Sequence, residues 1–230
     1  MFRAEGLTQG CRTCDNRTME TKKAPTHMNN LIQHTTDLAM HIVQAYVHPG
    51  DTVVDATCGN GHDTLRLARM LGLNAVPNSG LLFGFDVQAQ AIEATRQRLR
   101  NEGFEDALVM DRITLACLGH EQMLTFLQER SIPEVSAIVF NQGYLPGGDK
   151  TLTTRTGTTL SAVTDALQLL RAGGLCCLTM YSGHPEGAAE KRALLAFAEG
   201  LDGKLWHVSY ISMLNQKKDP PEILLISRKL

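Results

Sequence analysis

The segment Asp55-Ala56-Thr57-Cys58-Gly59-Asn60-Gly61-His62-Asp63-Thr64 sets two glycines between an apolar run, Val53-Val54, and the start of a helical pattern. Gly59 and Gly61 accept backbone angles closed to other residues, so the main chain can pass close to a ligand at the helix start. A second apolar run, Leu81 to Phe85, ends in Asp86, whose carboxylate can accept the protons of both ribose hydroxyls. A Gly-x-Gly turn by itself is common. Its place between strand and helix, with a carboxylate closing the next strand, makes it a candidate cradle for a nucleotide-type cofactor.

The turn lacks the third glycine of a dinucleotide fingerprint and continues His62-Asp63-Thr64, with Asp55 just before it. Acidic groups here repel a pyrophosphate but help place a cation. S-adenosyl-L-methionine carries a sulfonium, an ammonium and an adenosine, so it suits the site better than a nicotinamide dinucleotide. The residues expected to hold it are Asp55, Thr57, Gly59, Asn60, Gly61, Asp63, Asp86, Gln88, His120 and Asn141. Asp55 carries a second reading, a structural carboxylate that caps the turn. His62, His120 and His184 follow predicted strands but lack ligand spacing, so no metal is expected. Cys11 and Cys14 form one C-x-x-C pair without a second, and Cys176-Cys177 point to opposite faces of a strand and cannot chelate together.

Short β-like runs alternate with longer helical patterns through most of the chain, as in a mostly parallel sheet covered on both faces. Strands are expected at Thr52–Thr57, Leu81–Asp86, Ile113–Cys117, Ala137–Asn141, Leu175–Tyr181, Leu205–Met213 and Glu222–Ser227. Helices are expected at about 30–46, where Leu31, Thr35, Leu38, Ile42 and Ala45 recur at helical spacing and mark its apolar face, and at about 62–71, 88–102, 120–130, 158–171 and 186–200. In the third of these, Ala91, Ile92, Thr95 and Leu99 mark one face while Arg96, Arg98, Arg100 and Glu102 mark the other. The last two strands follow each other without a helix, so an antiparallel hairpin ends the sheet. The fold class is therefore α/β, a Rossmann-like, seven-stranded and mostly parallel sheet with an antiparallel C-terminal hairpin. Ligands of such sheets gather at the carboxyl ends of the strands, where Cys58–Asp63, Asp86, Gly119-His120, Asn141–Lys150 and Gly183-His184 all fall.

The 230 residues, 43% hydrophobic and 20% charged, fit one domain that buries a core without disulfides, and the cysteines read as reduced thiols. Residues 1–28 lack periodicity and read as a flexible extension; residues 29–230 form the domain. No window approaches a membrane span and the N-terminus lacks the apolar core of a signal peptide, so the expected location is cytoplasmic. A formal charge of −2 gives no field that advertises a nucleic-acid binder; any polyanion must be met by a local patch.

Together with the glycine turn and Phe85-Asp86-Val87-Gln88, two further motifs, Phe140-Asn141-Gln142-Gly143-Tyr144-Leu145-Pro146-Gly147-Gly148-Asp149-Lys150 and Tyr181-Ser182-Gly183-His184-Pro185-Glu186-Gly187, carry a resemblance. Over about residues 30–230 the chain resembles the bacterial class I methyltransferases labelled "putative rRNA methylases", members of which methylate 5-aminomethyl-2-thiouridine at the tRNA wobble position. The resemblance implies that Asn141 and the turn after it accept hydrogen bonds from an amine and aim its lone pair at a methyl group, with Tyr144 stacking on the base. Asn141, Tyr144, Asp149 and His184 are then the catalytic candidates, Asp149 or His184 favouring the neutral amine. Gly143, Tyr144, Lys150, Arg155, Tyr181 and His184 are the substrate-binding candidates. The resemblance makes the tRNA anticodon loop the expected partner, and Lys150, Arg155 and Lys217-Lys218 are then the candidates to meet the phosphates of that single-stranded loop, a solvated surface charge being the other reading of each. The residues alone leave open a methyltransferase acting on rRNA or a small-molecule amine, a non-catalytic binder of a nucleotide cofactor, and the oligomeric state, a homodimer included.

Overall fold

A computed structural model of the chain describes residues 34–74, 80–142, 156–183, 185–217 and 219–230. Seven helices and seven strands occur among them, in the order α1 (Thr35–Gln44), β1 (Thr52–Asp55), α2 (His62–Met70), β2 (Leu81–Phe85), α3 (Ala89–Asn101), α4 (Glu105–Val109), β3 (Ile113–Ala116), α5 (Met123–Glu129), β4 (Val135–Gln142), α6 (Thr156–Leu169), β5 (Leu170–Met180), α7 (Pro185–Glu199), β6 (Trp206–Ile211) and β7 (Glu222–Arg228). A single 3₁₀ turn, His120–Gln122, precedes α5.

The strands form one sheet in the order β3-β2-β1-β4-β5-β7-β6. The first five pair in parallel, and β7 runs antiparallel between β5 and β6. The sheet is thus the expected seven-stranded, mostly parallel one with an antiparallel end. The strand order reverses between β1 and β4, and in open α/β sheets that switch point opens the crevice in which ligands bind.

Alternation along the strands divides the core in two. Val54, Phe83, Phe85, Ile138, Phe140 and Cys176 face one apolar cluster, while Val53, Leu82, Ala137, Val139 and Cys177 face the other. A two-residue period sends neighbouring side chains to opposite faces, so every central strand reads as continuously apolar. The hairpin is fastened to α7 through Glu222, which accepts from Tyr210 and Ser212 and pairs with Lys191.

Three elements depart from expectation. Helix α1 buries Thr35, Ala39, Met40 and Val43, whereas Ala45, expected on the inner face, is exposed. An i, i+4 stripe of mixed apolar residues is ambiguous by one helical position, and packing decides between the faces. The helix expected to end near 171 stops at Leu169, and Leu170 already pairs with Val135 of β4 before the register shifts. Gly173, at φ +74°, and Gly174, where a Cβ would lie 2.9 Å from the Arg171 carbonyl, absorb that irregularity. Helix α4 is additional, one short turn whose Phe104 and Ala107 are buried.

Candidate active site

The turn from β1 into α2 is built from the inside outward. Asp55, the last residue of β1, is fully buried; its Oδ1 accepts the Thr57 main-chain N–H at 3.1 Å and its Oδ2 accepts the Thr64 hydroxyl at 2.6 Å. Burial pushes its carboxyl up to about 7 against the opposing bond from Thr64. The Asp55 side chain thus lies beneath the turn, each oxygen held by a protein partner, which is the position that the capping reading describes.

Above it, Gly59 and Gly61 take φ +52° and +75°, the left-handed region that favours glycine. At Gly61 the missing side chain makes room for protein. A Cβ there would lie 2.8 Å from the Cα of Thr95, because α3 crosses directly against the turn. The Thr95 hydroxyl donates to the Gly59 carbonyl at 3.1 Å, and Arg98 Nε donates to the Asn60 carbonyl at 2.6 Å. Arg98 also meets His62 Nε2 at 3.1 Å; a guanidinium has no acceptor, so that ring nitrogen accepts. Gly84 in β2 has a related reason, since a Cβ there would lie 2.6 Å from the Cys58 sulfur.

Asp86 follows β2 at the same edge. Its Oδ2 accepts the Gly59 N–H and its Oδ1 the Gln88 N–H, both at 2.9 Å, so one carboxylate joins the glycine turn to the start of α3. A carboxylate offers about four acceptor positions, and these two bonds leave room for two more. Beside it Val87 is 56% exposed, an apolar surface that sequence reading passed over.

The ends of β4 and β5 close the other side. The Asn141 main-chain N–H donates to Thr57 Oγ1 at 2.7 Å, tying β4 to the turn after β1. Its side chain is held at both ends: Nδ2 donates to Asp63 Oδ2 at 2.8 Å, and Oδ1 accepts the Tyr181 hydroxyl at 2.9 Å. Burial raises the Asp63 carboxyl, opposed by the Asn141 bond and by Arg66, which is itself paired with Asp37. Burial, with the Asp63 charge behind it, also raises the half-buried Tyr181 phenol. Asp63, Asn141 and Tyr181 thus form one continuous chain of hydrogen bonds across the switch point.

His120, in the 3₁₀ turn after β3, is 6% exposed and stands edge-on to Phe140 with ring centroids 5.7 Å apart. It bonds to the Ala56 main chain, and burial lowers its pKa, favouring the neutral ring. Its Nε2 is buried without a partner among the described residues.

The structure therefore gathers Thr57, Gly59, Asn60, Gly61, Asp63, Asp86, Gln88, Asn141, Tyr181 and His120 at one sheet edge, with Asp55 below. Gly143, Tyr144, Asp149, Lys150, Arg155, His184 and Lys218 lie outside the described residues, as do residues 1–33. Thr95 and Arg98 were missed as site residues. Their only sequence signal was a polar residue within the inner stripe of α3 and an arginine on its flank. No described helix is long and apolar enough to cross a membrane.

The family model described as "Putative rRNA methylase" matches residues 82–227, and one described as a methyltransferase domain matches residues 47–114. Over 194 residues the chain is 36% identical to the chloroplastic tRNA (mnm(5)s(2)U34)-methyltransferase of Arabidopsis thaliana, covering 84% of this chain and 69% of that one. Among solved structures it is similar to a "putative rRNA-methylase" from Clostridium thermocellum, with TM-score 0.76 and 36% identity over 85% of this chain and 98% of the other. It is also similar to a "putative methyltransferase" from Streptococcus mutans in complex with SAH, with TM-score 0.71 and 27% identity over 85% and 98% of the two chains. A shared fold, a family match over more than half the chain and identity at this level agree: the chain belongs to the "Putative rRNA methylase" family and is a methyltransferase.

Proposed function

We propose that the protein uses S-adenosyl-L-methionine to methylate the amine of 5-aminomethyl-2-thiouridine at the tRNA wobble position, giving 5-methylaminomethyl-2-thiouridine. The observation that carries this reading is the 36% identity, over 84% of the chain, to a relative named for that tRNA nucleoside. The arrangement around Asn141 supports it.

The residues at the sheet edge fit the cofactor. Asp86 has acceptor positions left for a vicinal diol, Val87 offers an apolar surface for adenine beside it, and His120 brings to the same edge a ring nitrogen that has no partner among the described residues. Asp63 adds a partly buried carboxyl suited to a cationic ligand and unsuited to a pyrophosphate. When bound, S-adenosyl-L-methionine supplies a methyl group on a sulfonium, so its leaving group is already activated.

Positioning then supplies most of the rate. Asn141 cannot flip its amide without losing the bonds to both Asp63 and Tyr181, so Oδ1 holds a fixed direction. One lone pair of Oδ1 takes the Tyr181 proton, and the other is left for an N–H of the incoming amine. Tyr144 stacks on the base, Gly143 and Tyr181 are the neighbouring substrate-binding residues, and Asp149 or His184 takes the proton that a base-linked ammonium must lose before it can attack. Lys150, Arg155, Lys218 and the exposed Lys217 contact anticodon-loop phosphates. The cytoplasmic location and the division into an extension (1–28) and a catalytic domain (29–230) belong to the same reading.

An rRNA substrate is the second reading, favoured by the description of the family model. Incubation with the cofactor and tRNA bearing 5-aminomethyl-2-thiouridine, followed by nucleoside mass spectrometry, separates the two: conversion supports the tRNA reading, and methylation of rRNA alone replaces it.

A further inference from the structure

Helix α3 touches the glycine turn through two side chains with the same target type. Thr95, wholly buried, donates to the Gly59 carbonyl, and Arg98, one turn later, donates to the Asn60 carbonyl. Both main-chain oxygens of the turn are thereby drawn toward α3. In a trans peptide the carbonyl and the following N–H point in opposite directions. Fixing the Gly59 oxygen on α3 therefore turns the Asn60 N–H away from α3, to the open side of the turn, where no described residue accepts it. The neighbouring donor, Gly59 N–H, is already committed to Asp86, and the Gly61 N–H closes the turn onto the Cys58 carbonyl.

We infer that Thr95 and Arg98 are positioning residues for the cofactor: they hold the glycine turn with its carbonyls toward α3 and present the Asn60 amide as a donor to S-adenosyl-L-methionine. The inference rests on the cofactor reading above. The two contacts are complementary, because each clamps one of two consecutive peptide planes. A turn free to rotate those planes would offer a carbonyl where the ligand needs a donor. Arg98 also spans to His62 Nε2, so the clamp includes the first residue of α2.

The test is binding of S-adenosylhomocysteine by calorimetry, with melting temperature recorded for each variant. Thr95→Val keeps the shape and removes the hydroxyl, and it weakens binding about tenfold; Thr95→Ser keeps the hydroxyl and stays within about twofold of the parent. Arg98→Ala weakens binding about five- to tenfold and, being on the outer flank of α3, serves as the test if Thr95→Val fails to fold. Arg98→Lys recovers part of that loss, because one donor still reaches the Asn60 carbonyl. Unchanged affinity in both Thr95→Val and Arg98→Ala overturns the inference, as does an equal loss in Thr95→Ser. If the unmodified protein itself fails to bind S-adenosylhomocysteine, the cofactor reading falls instead.

Discussion

Replacing Asp86 by alanine tests the cofactor site at the residue where two roles converge. Its carboxylate accepts the main-chain N–H groups of Gly59 and Gln88, each at 2.9 Å, and on the proposed reading it also takes two ribose hydroxyls. A hydrogen bond to an ionised group contributes about 1.5–3 kcal/mol, so losing two ribose contacts removes about 3–6 kcal/mol, roughly two to four orders of magnitude in affinity. The two internal bonds are lost as well, but water can reach this half-buried position and replace them in part. Their loss is worth about 1–2 kcal/mol, which lowers the melting temperature by about 2–8 °C in a domain of this size. Calorimetry with S-adenosylhomocysteine and a thermal melt on the same preparation read the two effects separately. Asp86→Asn retains one acceptor and falls between the parent and the alanine variant in affinity. The reasoning is refuted if Asp86→Ala binds within about threefold of the parent while showing the predicted drop in melting temperature. The carboxylate would then be a turn fastener with no part in ligand binding.

Two more outcomes follow from the same geometry. Tyr181→Phe removes the hydroxyl that orients Asn141, so turnover falls about five- to thirtyfold while affinity for S-adenosylhomocysteine stays within about twofold; steady-state kinetics with calorimetry check this. Asp55 is raised from 3.8 to about 7 by burial, so the folded state holds its proton more tightly than the unfolded chain does, and its contribution to stability is greatest below pH 4. That contribution falls as pH rises from about 4 to about 7, by a total of roughly 4 kcal/mol, and is level above that. Urea unfolding of the parent and Asp55→Asn at pH 5 and pH 8 should therefore show the difference moving in favour of the variant with rising pH, and a constant difference contradicts the assignment.

What the sequence disclosed and what it withheld divides along a physical line. Strand β1, the glycine turn, the α2 start and the Asp86 carboxylate are read from neighbouring residues, because strand, turn and helix each leave a local pattern. The two-faced core was legible in the same way, Cys176 and Cys177 included. The depth of Asp55 was open between two readings, because burial is set by β4 and α2 closing over it. Gly61 was rightly seen as conformationally special, but the space it leaves is taken by Thr95, a residue far along the chain whose approach no spacing rule announces. The same holds for Arg98, which appeared as one of several charges on the outer face of α3, and for the inner face of α1. Tyr181 was expected at the site; its bond to Asn141 became visible only when β4 and β5 stood side by side.

The central claim is that this sheet edge delivers a methyl group to the amine of a wobble uridine. Purified protein incubated with S-adenosyl-L-methionine and tRNA carrying 5-aminomethyl-2-thiouridine, then digested to nucleosides and analysed by mass spectrometry, measures it directly. The account predicts that the aminomethyl nucleoside disappears as its methylamino counterpart, heavier by one CH₂, accumulates, and that Asn141→Ala reduces the conversion by at least about tenfold. An unchanged nucleoside in the presence of bound cofactor, with methylation of rRNA or a free amine instead, contradicts it.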